Sequence, residues 1–388
     1  MKFADRVENL PPYLFVGISR AIAAKKAEGI DVISFGIGDP DMQTPEPVLE
    51  ALVEGSKKAA NHKYPESEGL PEFRARVAKF YNDRFGVKLD PATEIINLIG
   101  AKEGIAHAAL CFIDPGDISI SPDPAYPVYE IGTMFAGGTT HFVRLKADNG
   151  YLIDFADIPT DVAKKAKTLW INYPNNPTGA IAPMSFFDEA VAYCKEFDIA
   201  LLHDAAYTEV TYDGYVAPSV LQAEGAMDIA MEFHSLSKTA NMTGWRVGFA
   251  SGNPEMVNAL MRVKSNIDSG LSQANQEMGI AAIDLPSEWV DNNNEVYRKR
   301  RDKVVSVLNE IGVPAVAPKG ALYIWTPIPE GYTSAEFARK LLDDVNVVVT
   351  PGNGYGPGGE GYIRLSLTIP DDQIDEGLRR LAQLRINA

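Results

Sequence analysis

The residues with the most reactive chemistry lie in one short run, Ser235-Leu236-Ser237-Lys238, with Arg246 eight positions after the lysine. The run follows the apolar stretch DIAMEF (228–233), so its polar side chains fall just past a strand. Two hydroxyls and an arginine can surround a phosphate dianion, the hydroxyls by single hydrogen bonds and the guanidinium by a planar fork. A lysine beside that site can form an imine with an aldehyde on the same ligand. The bland alternative is a solvated surface lysine.

Three more polar clusters follow short apolar runs. Asp204 ends IALLHD (199–204), with Tyr207 three residues on. Asp204 reads either as an N-cap of the next turn or as a carboxylate paired with a protonated pyridine nitrogen. In the second case the ring stays cationic and accepts electrons from a carbanion next to the imine, and Tyr207 donates to the ring's phenolic oxygen. The run Asn175-Asn176-Pro177-Thr178-Gly179 follows TLWIN (168–172). It reads as an ordinary turn, or as the place from which Asn176 donates to the same oxygen from the opposite side and keeps the imine's pKa low. Gly100-Ala101-Lys102-Glu103-Gly104 marks a helix start, whose exposed N–H groups favour an anion.

The elements that must position these clusters alternate along the chain. IINLI (95–99) precedes a helix expected at 103–112, ISIS (118–121) one at 126–136, and TLWIN one at 184–197. Such alternation predicts an α/β fold with a mostly parallel central sheet flanked by helices, and ligands there bind beyond the carboxyl ends of the strands. The last third reads as a smaller α+β domain. It holds a long amphipathic helix (287–312), strands at ALYIW (321–325), VNVVV (345–349) and YIRLSL (362–367), and a closing helix (371–386). The expected division is an N-terminal segment 1–35 joining the small domain, a large domain 36–285 and a small domain 286–388.

Composition excludes several function classes. The 388 residues exceed one compact core, and 46% hydrophobic with 23% charged residues is ordinary for a globular protein. A formal charge of −16, from 36 basic and 52 acidic residues, opposes binding to nucleic acid or anionic membrane. Cys111 and Cys194, the two cysteines, lie in helical stretches, and no Cys or His pair has metal-ligand spacing. The start MKFADRVENLPPY lacks the apolar run of a signal peptide, and no stretch approaches a membrane span in length. The expectation is a cytoplasmic protein without metal.

In the order glycine turn, NPTG, DxxY, SxSK, arginine, the clusters resemble the fold-type I, class I/II aminotransferases, which use pyridoxal 5′-phosphate. The resemblance covers nearly the whole chain. It implies Lys238 as the Schiff-base lysine, Asp204 on the pyridine nitrogen, and Asn176 and Tyr207 on the phenolic oxygen. It places Ser235, Ser237, Arg246 and the backbone of Ala101 and Lys102 on the phosphate, with Tyr126 of DPAYP stacked on the ring. Lys238, Asp204 and Tyr207 are then the catalytic set, and Tyr126 and Asn176 also face the substrate. Arg364 of YIRLSL would take the substrate's α-carboxylate, against the alternative of a surface arginine in an ion pair. The backbone of Gly38, in FGIGDPD, would lie against the substrate. Tyr64 would reach the phosphate of a partner subunit, which implies a homodimer with shared sites acting on amino acids and 2-oxo acids.

Within that family the phrases ANHKYPESEGLPEFR, GAKEGIAH, EFHSLSK, VKSNIDSG and VVTPGNGYG resemble a narrower group. Its members transfer an amino group between glutamate and tetrahydrodipicolinate, giving LL-2,6-diaminopimelate for lysine. That resemblance adds Tyr13, Lys102 and Asn266 to the substrate shell. Lys102 would meet the distal carboxylate and Glu66 or Glu68 the distal ammonium, while a solvated helix-start lysine is the alternative for Lys102. One departure is Ala240, two residues after Lys238, where the group carries tyrosine. The rival expectations are an alanine- or aspartate-type aminotransferase, a carbon–sulfur β-lyase on the same scaffold, and the effector domain of a transcription regulator.

Overall fold

The computed structural model describes residues 1–11 and 14–384. Its strands run in chain order as β1 (Ile33–Ser34), β2 (Ile95–Leu98), β3 (Ile118–Asp123), β4 (Thr139–Arg144), β5 (Ala166–Ile171) and β6 (Ala200–Asp204). They continue as β7 (Ala230–Ser235), β8 (Gly248–Gly252), β9 (Tyr323–Pro327), β10 (Val347–Val348), β11 (Thr350–Pro351) and β12 (Tyr362–Ser366). Seven of them form one sheet in the order β2-β8-β7-β6-β5-β3-β4. All its pairings are parallel except those of β8, which runs antiparallel to β2 and β7.

This sheet is covered on both faces, which is why its strands are near-continuous apolar runs rather than alternating ones. Trp170, Leu202 and Phe233 point to one face, under the helices Ala101–Phe112 and Pro254–Lys264. Leu169, Ile171 and Leu201 point to the other, under the helices Pro71–Phe85 and Met184–Phe197. Truncating one of these fully buried leucines to alanine would cost about 2–5 kcal/mol. A second sheet, β11-β12-β9, is antiparallel, and β1 pairs in parallel with β10. A core including Phe35, Tyr207, Tyr297, Phe337 and Leu365 packs against these strands.

Two strands depart from the sequence reading. In VNVVV, Val345 ends the helix Ser334–Val345 and Asn346 caps it with φ +54°, so the extended chain begins only at Val347. In ALYIW, Ala321 takes φ +62°, and the strand starts two residues later, at Tyr323. Both left-handed residues break the regular geometry where the apolar run alone suggests continuity.

Candidate active site

The sheet brings the ends of its strands to one edge. Gly100 follows β2, Tyr126 follows β3, Asn176 follows β5, Asp204 ends β6 and Ser235 ends β7. Because β8 runs the other way, its first residue, Gly248, pairs with both Leu98 and Ser235, and Arg246 arrives at the same edge.

Lys238 sits on the one-turn helix Leu236–Thr239, which Ser235 caps. Its Nζ donates to the Gly38 carbonyl at 2.7 Å. Burial holds the ammonium below the usual lysine range, with Arg364 and Arg246 adding to that and Tyr323 and Asp39 opposing it. A lysine whose charged form is disfavoured is more readily the neutral nucleophile. Gly38 is required to be glycine here, since a Cβ would collide with the Tyr323 hydroxyl.

Asp204 is buried, and its Oδ2 accepts from the Tyr129 hydroxyl at 2.7 Å. Its Oδ1 accepts from the Ala206 N–H at 3.3 Å, a bond of the capping kind. Burial pushes its carboxyl up, against the pull of those two donors. Tyr129 is held flat on Trp170, with ring centroids 4.8 Å apart, and Tyr126 meets Tyr129 edge-on at 6.0 Å. Tyr207 shares a 2.7 Å hydrogen bond with Tyr323.

Arg364, in β12, is not a surface residue: it is 1% exposed. It donates to Asn176 Oδ1 and to the Gly36 carbonyl, both at 2.9 Å. Its guanidinium lies 3.9 Å from the Tyr323 ring centroid and 4.9 Å from that of Tyr355, a cation–π arrangement for a cation taken out of water. The bond from Arg364 uses the oxygen of the Asn176 amide and leaves Nδ2 as its donor pole.

On the other side, a Cβ on Gly100 would collide with the Arg246 guanidinium, so that side chain lies across the start of the helix Ala101–Phe112. Gly100 itself has φ +74°, a further reason for glycine there. Ser237 Oγ is buried and makes no hydrogen bond, while Ser235 Oγ accepts from the Ser237 N–H at 3.3 Å.

Other expected site residues do not join this group within one chain. Tyr64 is 87% exposed. Asn266 is also exposed and donates from its side chain to the Arg262 carbonyl of the preceding helix at 2.8 Å. The segments bearing them touch, since Gly270 packs against Pro65 and Glu66. Glu66, Glu68 and Lys102 are exposed, and Tyr13 lies outside the described residues. A cleft of about 870 Å³ beside Leu236 and Thr239 includes none of Lys238, Asp204, Asn176 or Arg364. Its charges pair with one another, as in Arg76–Asp284, Arg84–Glu209 and Arg298–Glu295. Glu103, His107 and Asp268 also converge, and the Lys264 ammonium sits 3.0 Å from both carboxylates, where a cation would otherwise belong.

The family model for aminotransferase class I and II matches residues 30–381. The chain belongs to this family. This aminotransferase is 55% identical over 388 residues, the full length of both chains, to an LL-diaminopimelate aminotransferase of Dehalococcoides mccartyi. It is 50% identical over 385 residues, 99% of this chain and 100% of the other, to one of Aquifex aeolicus. Among solved structures, apo-BacF from Bacillus subtilis superposes with a TM-score of 0.96 at 34% identity, covering 100% of this chain and 99% of that one.

The family depends on pyridoxal phosphate, and the residues present fit it. The unpartnered Ser237 hydroxyl, the Arg246 fork and the glycine helix start suit a phosphate, and the buried Asp204 suits a ring N–H⁺. Sequence reasoning missed Tyr129, Asn172 and Tyr323. Each lies in a run that reads as core or strand, and each acts by touching another site residue. The remaining signal was their polar atom within a buried run, which requires a partner.

Proposed function

We propose that this aminotransferase moves an amino group between L-glutamate/2-oxoglutarate and LL-2,6-diaminopimelate/tetrahydrodipicolinate, a step toward lysine. The observation that carries this reading is the 55% identity, over the whole of both chains, to an enzyme of that name.

When bound, pyridoxal phosphate supplies an aldehyde carbon and an electron-withdrawing ring. Lys238 would hold the cofactor at that carbon, and its amine, when free, would move the proton at the substrate α-carbon. Asp204 holds a proton at the ring nitrogen, and Tyr129 keeps the carboxylate aimed. Tyr207 and Asn176 donate to the phenolic oxygen. Ser235, Ser237, Arg246 and the N–H groups at Ala101 and Lys102 anchor the phosphate. Tyr126 would cover the ring, Gly38 would let the substrate approach, and Arg364 would orient the α-carboxylate.

In the same reading, Tyr13, Lys102 and Asn266 join the substrate shell, with Lys102 at the distal carboxylate and Glu66 or Glu68 at the distal ammonium. Tyr64 and its neighbour segment face solvent in one chain, which supports a homodimer whose partner completes each site. No helix among the described residues is long and apolar enough to cross a membrane, and we place the enzyme in the cytoplasm.

A donor panel with 2-oxoglutarate tests the substrate. LL-diaminopimelate should far exceed alanine and aspartate. Lys102→Ala should then lose about 1–3 kcal/mol of transition-state binding for the long donor and nothing comparable for alanine. Comparable use of all three donors, or an equal loss for each, would instead point to a general aminotransferase. Pyruvate released from cystathionine without any keto acid would point to a β-lyase.

A further inference from the structure

A glutamate and two histidines on the β6–β7 ladder remain outside the chemistry above. Glu232 is in register with His203 on the neighbouring strand, and both are 0% exposed. The Glu232 carboxylate accepts on Oε1 from Tyr81 at 2.9 Å and from His234 Nε2 at 2.7 Å. It accepts on Oε2 from the Val220 N–H at 3.0 Å, and the Ser219 hydroxyl lies 3.0 Å from both oxygens. With so many donors aimed at it, this carboxylate has no place for a proton of its own.

His203 stands between two acceptors. Its Nδ1 is 2.8 Å from Glu232 Oε2, and its Nε2 is 3.1 Å from the Tyr173 carbonyl. An imidazole donates from both nitrogens only when it carries both protons. Among the described residues, no other titratable group bonds to this ring. Phe187, from the helix Met184–Phe197, closes one side at 5.1 Å, and Asp204 is the next residue, on the opposite face of the sheet. Tyr81, from the helix Pro71–Phe85, and His234, from β7, reach Glu232 rather than His203.

The Tyr173 carbonyl belongs to the loop that carries Asn176. Beside it, Asn172 donates to the Asp204 carbonyl at 2.7 Å and accepts from the Asn176 N–H at 2.8 Å. The loop and the end of β6 are therefore tied twice, once through Asn172 and once through His203. We propose that His203, kept as an imidazolium by Glu232, is a positioning residue that locks Asp204 and Asn176 into one unit at the candidate cofactor site. The proposal rests on the reading in which those two residues hold that ring. A neutral His203 would have to release either Glu232 or the Tyr173 carbonyl, and releasing the carbonyl loosens the Asn176 loop.

The test uses the pyridoxal phosphate-bound protein labelled with ¹⁵N-histidine. The chain has five histidines, and His203→Gln identifies the signal that disappears. At about pH 8, where an ordinary histidine is neutral, both ring nitrogens of His203 should remain protonated. One unprotonated ring nitrogen on His203 overturns the proposal. In His203→Gln, or in Glu232→Gln should that chain not fold, the titration midpoint of the cofactor's absorbance should rise by about half a pH unit, because the Asn176 amide loses its fixed aim at the phenolic oxygen. An unmoved midpoint in a folded variant overturns the positioning role. If the parent shows no titrating band, the ring-site reading falls and the positioning role falls with it, whatever the nitrogen spectrum gives.

Discussion

Asp204 and Glu232 lie on neighbouring strands, both buried, on opposite faces of one sheet, and their environments drive them in opposite directions. Burial raises both carboxyls. On the face under Tyr129 and Trp170, one hydroxyl and one N–H do not offset that, and Asp204 stays above the usual carboxylate range. On the other face, burial is outweighed by the bonds from His203 and His234, and Glu232 is held well below it. A buried carboxylate already saturated with donors is finished structure. One with lone pairs to spare is a place for an outside cation, and under the proposed function that cation would be the protonated ring of the cofactor.

Substitutions should separate the two faces. Asp204→Asn keeps the shape but loses the charge, and turnover should fall by about 10²–10³-fold while cofactor still binds. Near-normal turnover would make Asp204 a cap and nothing more. Glu232→Gln leaves buried donors and an imidazolium without their anion, so it should cost about 3–5 kcal/mol of stability, read from denaturant unfolding. A cost under about 1 kcal/mol would mean that the ion pair does not exist.

A smaller effect is expected at the phosphate end. Arg246→Ala removes one charge-assisted fork, and dialysis should strip the cofactor about tenfold faster or more. Unchanged retention would remove Arg246 from the phosphate.

The smallest effect is a difference in slope with pH for the cofactor-free protein. The raised Asp204 holds a proton in the folded chain that the unfolded chain has lost above its ordinary value of 3.8. Stability from this group therefore falls as pH rises through the window above 3.8, and Asp204→Asn should abolish that fall. The lowered Glu232 works the other way. Its stabilisation is fully present above its ordinary value of 4.5 and is lost as pH drops below it. Melting curves from about pH 3 to 8 should show Asp204→Asn gaining on the parent toward neutral pH and Glu232→Gln losing least in acid. Parallel curves for all three proteins would erase the contrast between the faces.

The cluster proposed to hold the ring and the phosphate was legible in the sequence because each of its residues ends or follows a strand, where a polar type stands out against an apolar run. Asp204, Asn176 and Lys238 are of this kind. Arg364 was legible only through resemblance, since an arginine inside YIRLSL reads equally well as a surface residue. Tyr323, Tyr129, Glu232 and His203 were not legible, because their roles depend on which strands are neighbours. That order, β8 between β2 and β7 above all, is set by packing across the whole sheet. Strand limits failed at Ala321 and Asn346, where a single left-handed residue overrides an apolar run. Tyr64 and Asn266 teach a different limit: resemblance placed both at the site, and in one chain both are exposed.

The reading depends most on Lys238. Borohydride reduction of the pyridoxal phosphate-loaded protein, followed by peptide mapping, locates the lysine that bonds the cofactor. The label should fall on the peptide carrying Lys238, and Lys238→Ala should lose both the label and the long-wavelength absorbance band, with no return on adding cofactor. A label on another lysine, or an unchanged band in Lys238→Ala, would contradict the assignment of this site.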